Sequence, residues 1–166
     1  MTTAGLRLAH DAVVWLDYGQ FSLCGSFGRS GDYMGYLHDA LAGEGIAGDA
    51  YAVVVCSPHQ NNFEMPLRVE VWDREPPGDE ADWEEIFLCG LVVDDGRLSY
   101  QSPIDSETVF EVPVGNYAVL ICGRGFVNHG WPGSTRPGDV WRVQMWPSAE
   151  APVPSRIKAW QQPESR

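Results

Sequence analysis

The sequence predicts an all-β fold, an antiparallel β-sandwich of about eight to ten short strands with one short helix. Three observations carry that expectation. Apolar runs of strand length recur along the 166 residues, with turn residues between them every 8–12 positions or about that. The 18 Gly and 12 Pro end each run before it can grow into a long helix. Strands do not alternate with helical stretches, which argues against a doubly wound parallel sheet. No domain boundary is visible, so one domain over residues 1–166 is expected, with a Pro-rich tail over 147–166.

The elements follow in order. Residues 12–17 (AVVWLD) read as a short, largely buried strand, broken by Tyr18-Gly19, and residues 20–24 continue extended. Residues 25–32 form a Gly/Ser loop. Residues 33–42 are the single helix candidate. Asp32 offers an N-cap oxygen, and Met34, Leu37 and Leu41 share one face. Residues 51–56 (YAVVVC) are a β-branched strand, and 57–66 a polar loop.

Residues 67–72 (LRVEVW) alternate. Leu67, Val69 and Val71 face one way, and Arg68, Glu70 and Trp72 the other. An acidic Pro-Pro-Gly loop over 73–82 leads into a strand over 83–93, bent at Gly90. Asp94-Asp95-Gly96 has hairpin-turn chemistry. Residues 97–101 and 108–112 are short strands, and 116–122 follows a Pro-Val-Gly turn. A Gly/Pro-rich loop over 124–139 holds Asn128, His129 and Trp131. Residues 140–146 alternate Val140, Arg142, Gln144 and Trp146 against Trp141, Val143 and Met145. The tail carries an apolar peg over 157–160.

Cys24, Cys56, Cys89 and Cys122 each lie in an apolar run, none in a C-x-x-C pair. They read as small buried strand residues rather than zinc ligands or disulfides. No stretch approaches the ~18 apolar residues of a membrane helix, and residues 1–10 lack the charge-then-apolar order of a secretory signal. A cytoplasmic protein is expected, with no membrane association.

Charge is unevenly placed. The net formal charge is −12, and residues 1–63, 64–111 and 112–166 carry −4, −11 and +3. Eight acids fall within residues 70–85, opposed there by Arg74 alone. This speaks against a nucleic-acid binder, which needs clustered Lys and Arg. It suits a surface that steers a basic protein partner, while a solvated loop that aids solubility is the plainer alternative.

Catalytic motifs are lacking. Gly43, Gly45 and Gly48 match G-x-G-x-x-G, but a helix precedes them and a strand follows, the reverse of a dinucleotide site. Asp73, Glu75, Gly78 and Glu84 fall at positions of a calcium loop, but Pro77 occupies a ligand position and no helices flank it. Glu84 and Glu85 are adjacent on a strand and point to opposite faces, unlike a glycosidase pair. No nucleophile motif is present, and His10, His38, His59 and His129 have no metal-ligand spacing. No enzyme activity, cofactor or metal is expected. An enzyme with a dispersed site, for instance His59 or His129 beside a carboxylate, is one alternative.

Trp15, Trp141 and Trp146 lie in apolar strands and read as core. Trp72, Trp83 and Trp131 border loops and read as binding-face residues. A sugar- or small-ligand-binding sandwich using such tryptophans is a second alternative.

Three stretches carry a resemblance: Asp17-Tyr18-Gly19-Gln20-Phe21, the run over 83–93 leading to Asp94-Asp95-Gly96, and residues 109–119 (VFEVPVGNYAV). Together the chain resembles the competence-protein-J-like family, small bacterial proteins associated with inhibiting a nuclease of DNA uptake. It is also similar to uncharacterised actinobacterial proteins ending in a strand like residues 143–147 (VQMWP). The resemblance implies a β-rich fold and an inhibitor role toward a nuclease or toxin. Joined to the charge map, the expected partner-binding residues are Glu70, Trp72, Asp73, Glu75, Asp79, Glu80, Asp82, Trp83 and Glu84. Carboxylates spaced on a rigid scaffold would occupy a basic cleft in place of phosphates.

Overall fold

The computed structural model describes residues 3–58, 63–104, 107–126 and 139–161. They form two sheets. Strands β1 (Leu6–Leu16), β5 (Phe63–Trp72), β6 (Glu85–Val93), β9 (Gly115–Arg124), β10 (Val140–Pro147) and β11 (Ser155–Lys158) make the larger, in the order β1-β5-β10-β9-β6-β11. Strands β2 (Gln20–Cys24), β3 (Ile46–Gly48), β4 (Ala52–Cys56), β7 (Arg97–Gln101) and β8 (Thr108–Glu111) make the smaller, in the order β3-β4-β2-β7-β8. Helix α1 (Tyr33–Ala42) is capped by Asp32, whose carboxylate accepts from the Met34 amide, and packs on β3 and β4. The expected all-β sandwich with one helix is the fold observed.

Period-two alternation places the core between the sheets. Leu67, Val69 and Val71 of β5 and Trp141, Val143 and Met145 of β10 point inward with almost no exposed surface. They meet Phe21, Leu23, Val53, Val55, Leu98 and Tyr100 from the smaller sheet. Trp141 anchors the junction, edge-on to Phe21 at 5.2 Å and to Phe126 at 5.7 Å. Gly123 is required there, because a Cβ would stand 2.8 Å from the Trp141 ring.

The chain changes sheet at its tight turns. Tyr18 and Gly19 both have positive φ (54° and 66°), as a two-residue turn with right-handed strand twist demands. The turn joins β1 of one sheet to β2 of the other. The expected hairpin at Asp94-Asp95-Gly96 does the same. β6 and β7 share that turn but pair with different strands, β6 with β9 and β11, β7 with β2 and β8.

Other expectations need correction. β10 pairs with β5 in parallel, although every other strand pair among the described residues is antiparallel. β3 and β11 were not expected. β3 is three residues long and Gly-flanked, and β11 lies in the Pro-rich tail. β1 begins six residues earlier than expected, because its N-terminal half is an edge strand with solvent on several positions. β5 begins at Phe63, inside the segment read as a loop. At Gly90, where a bend was expected, strand β6 runs on from Cys89 to Leu91. It pairs continuously with β9, and the missing side chain admits Ala151, whose Cα would be 2.9 Å from a Cβ there.

Trp15 is not core but 36% exposed, since β1 turns it to the outer face, and Trp146 is half-buried. Cys89 and Cys122 are buried, whereas Cys24 and Cys56 are half-buried on the outer face of the smaller sheet. Trp131, His59 and His129 lie outside the described residues, as does most of the loop over 124–139. No described helix is long and apolar enough to cross a membrane.

Candidate protein-binding site

The outer face of the larger sheet is built in rungs. Arg68 of β5, Arg142 of β10, Cys122 of β9 and Ile86 of β6 are register neighbours. The next rung is Glu70, Gln144, Leu120 and Leu88. The rungs change from charged to apolar across the sheet, and each half has its own cover.

On the charged half, Glu70 is only 7% exposed. Its carboxylate accepts from Arg68 Nε at 2.8 Å, Gln144 Nε2 at 2.9 Å and Trp72 Nε1 at 3.0 Å. Burial works against its ionisation, but these three donors outweigh it and hold the carboxyl below its ordinary value. Arg68 also reaches Asp11 at 2.8 Å.

On the apolar half, the acidic segment covers the sheet. β5 and β6 run parallel, with β10 and β9 between them. Residues 73–84 must therefore return from the far end of β5 to the near end of β6, and they cross the outer face as a strap. Asp73 fixes its start, accepting from the Gly5 amide at 2.8 Å. Midway, Asp79 grips Arg142 through two hydrogen bonds of 2.6 and 2.8 Å. These pull its carboxyl below the ordinary value despite partial burial. A single 3-10 turn, Glu80–Asp82, then seats Trp83.

Trp83 is 5% exposed and packs on Ile86, Cys122, Leu120 and Val140. The guanidiniums of Arg124 and Arg142 lie 4.4 and 4.5 Å from its ring centre, so it is sealed by two cations. Main-chain carbonyls are held too. Asp82 O accepts from Arg124 at 3.2 Å and Glu80 O from Lys158 at 3.1 Å.

Two further acids mark the foot of the strap. Glu84 accepts from the Gly125 amide at 2.6 Å. Glu85, on the opposite face, accepts from the Trp160 amide at 3.0 Å and lies 3.4 Å from Arg156. Burial nevertheless pushes its carboxyl upward. Close by, Asp139 is 2% exposed. Burial first, and then the charge of Glu84, raise its carboxyl to about 7 against the opposing effects of its own backbone amide and of Ser57. No hydrogen bond of good geometry from the described residues reaches either oxygen.

The nine expected site residues therefore separate. Glu70 and Trp83 are buried, and the ring expected at a binding surface is instead what fastens the strap. Trp72, Asp73, Asp79 and Glu84 are half-buried, and all four make the internal bonds described above. Glu75, Glu80 and Asp82 stand exposed. Sequence reasoning missed Arg124, Arg142, Arg156 and Lys158, the bases that hold the strap and its foot. A signal was present in the +3 charge of residues 112–166, which complements the acidic block inside the fold. Among the described residues no group of three or more His, Cys, Asp or Glu side chains converges as metal ligands would.

No family model and no curated protein matches the chain. Two solved structures share its fold. One is ComJ from Bacillus subtilis, an inhibitor of the DNA-degrading activity of NucA. It is 13% identical, with a TM-score of 0.58 over 89% of this chain and 100% of that one. The other is the crocagin biosynthetic gene J protein, 14% identical, with a TM-score of 0.53 over 89% of this chain and 99% of that one. The weak resemblance expected from the sequence is thus matched at the level of fold.

Proposed function

We propose that the chain is a non-enzymatic protein-binding module of the inhibitor type, engaging a basic protein such as a nuclease through the exposed acids of the strap. The observation that carries this reading is how the strap is fastened. Asp73, Asp79, Trp83 and Glu84 fix it at four points, and Glu75, Glu80 and Asp82 project from that frame. Carboxylates held in place lose little conformational freedom on meeting a cationic cleft, and their field speeds encounter. The shared fold with a nuclease inhibitor supports the same reading.

The test is capture of partners from host lysate at low and high salt, with the wild type beside a Glu75→Lys, Glu80→Lys, Asp82→Lys variant. The expected result is a basic protein retained at low salt, released at high salt and not retained by the variant. Recovery of no basic partner, or of one indifferent to the three reversals, would sink the proposal.

A further inference from the structure

The outer face of the smaller sheet holds a cavity of about 340 Å³ beside the start of α1, within the ~300–1,000 Å³ range of small-molecule sites. Strand alternation sets its floor. Phe21 and Leu23 of β2 point into the core, so Ser22 and Cys24 face outward into the cavity. Phe27, Tyr33 and Tyr36 supply aromatic walls, and Glu107 stands at the edge beside Gln101. No Lys, Arg or His is among the described residues lining it.

The charges around it are mostly negative, with Arg97 as the nearby base. Asp49 braces the rim, accepting from the Gly31 amide at 2.8 Å and the Tyr36 hydroxyl at 2.7 Å. Burial opposes its ionisation, but these bonds and those from the Tyr51 and Ala52 amides hold its carboxyl below the ordinary value. At the floor, the Cys24 thiol is pushed up first by burial. The Ser26 backbone opposes that rise, and the negative charges of Asp49, Glu107 and Asp94 add to it. The phenol protons are already committed, Tyr36 to Asp49 and Tyr33 to Gln20 at 2.7 Å. What the cavity offers a ligand is ring faces, the small polar groups of Ser22 and Ser30, and one carboxylate, Glu107, which accepts from Gln101 Nε2 at 3.5 Å. Phe27 already takes a cation on its ring, with the Arg97 guanidinium 4.9 Å from the centre, and Arg97 is itself neutralised by Asp95 at 2.7 Å.

We propose that this cavity binds an organic cation, an ammonium or guanidinium head on a slim apolar stem, with the head at Glu107 and the stem against the aromatic walls. The head gains a charge-assisted hydrogen bond at Glu107, and the stem buries apolar surface against the rings. A free small amine and an Arg or Lys side chain of a partner protein present the same group. The proposal is independent of the strap reading, since it uses the opposite sheet.

The experiment follows the amide spectrum of the ¹⁵N-labelled chain with three probes: agmatine, its neutral counterpart N-butylurea, and the peptide acetyl-Gly-Arg-Gly-amide. Agmatine, the peptide or both should shift the amides of Cys24, Gly28, Gly31 and Tyr36, and N-butylurea should not. Response to agmatine alone assigns the site to free amines, and response to the peptide alone assigns it to side chains. Glu107→Gln should weaken the responding probe at least about tenfold, and Phe27→Ala should weaken it too. Both residues are exposed, so the variants keep the folded spectrum. An equal response to N-butylurea, shifts elsewhere, no response to either cation, or an unchanged affinity in Glu107→Gln would overturn the proposal.

Discussion

The two sheets bury their inner faces in the same way and treat their outer faces differently. The larger sheet lays an acidic segment across its outer face and fastens it with three bases from the C-terminal third, Arg124, Arg142 and Lys158. The smaller sheet leaves an aromatic, acid-edged hollow beside its helix. The difference teaches where the charge excess goes. Within residues 64–111, Glu70, Asp73, Asp79, Glu84 and Glu85 are held inside the fold by Arg68, Arg142, Arg156 and main-chain amides, and of the strap's own acids only Glu75, Glu80 and Asp82 project.

The sharpest break of this contrast is Trp83→Ala. It removes a ring buried under two guanidiniums, and should cost about 3 kcal/mol in urea unfolding. A loss under 1 kcal/mol would mean that the strap rests on the sheet without being fastened. Asp79→Asn comes next, at about 2 kcal/mol near neutral pH, because it leaves a mostly buried Arg142 without its counter-charge. Its pH dependence has a definite sign. The folded carboxyl lies below its ordinary value of 3.8, so its contribution is present above that value and fades as pH falls through the folded one. Wild type and variant should converge in stability toward pH 2.

Asp139 runs the other way. Its carboxyl is raised from 3.8 to about 7, so its contribution is complete below the unfolded value and is lost as pH rises to about 7. Asp139→Asn should therefore stabilise the protein by about 1–2 kcal/mol at pH 8 and make little difference at pH 4. Thermal melts at the two pH values read this directly. The smallest effect is expected on the open face. Phe27→Ala should change stability by less than about 0.5 kcal/mol, and a larger loss would mean that the hollow belongs to the core.

The alternating strands were legible in the sequence, because a buried face imposes period two whatever the topology. β2, α1 and β7 were delimited as observed, each bounded by Gly, Asp or Pro. Partner choice was not legible. The parallel pairing of β10 with β5 leaves no mark on either strand, and the turn at Gly96 has hairpin chemistry although its two strands part company. At the site, the acids were visible but their direction was not. Trp83 next to a loop looked like a ring offered to solvent. Its burial depends on Val140, Cys122 and Arg142, which lie 39 to 59 positions away in the chain, and no local pattern encodes that. Glu70 likewise sits on the polar side of a clean alternation and is buried by Gln144.

The crossing of β5 to β6 has a kinetic consequence. Both strands are made before the two that lie between them, since β9 and β10 come later in the chain. The strap can settle on Cys122 and Arg142 only after β9 and β10 have entered the gap and paired. Contacts of such long sequence separation form slowly. On refolding, amides of the smaller sheet's β2–β4 pair should gain protection from exchange well before the Trp83 indole N–H does. The segment carrying the outward acids would then take its final shape last, so partner engagement would report that the whole larger sheet had closed.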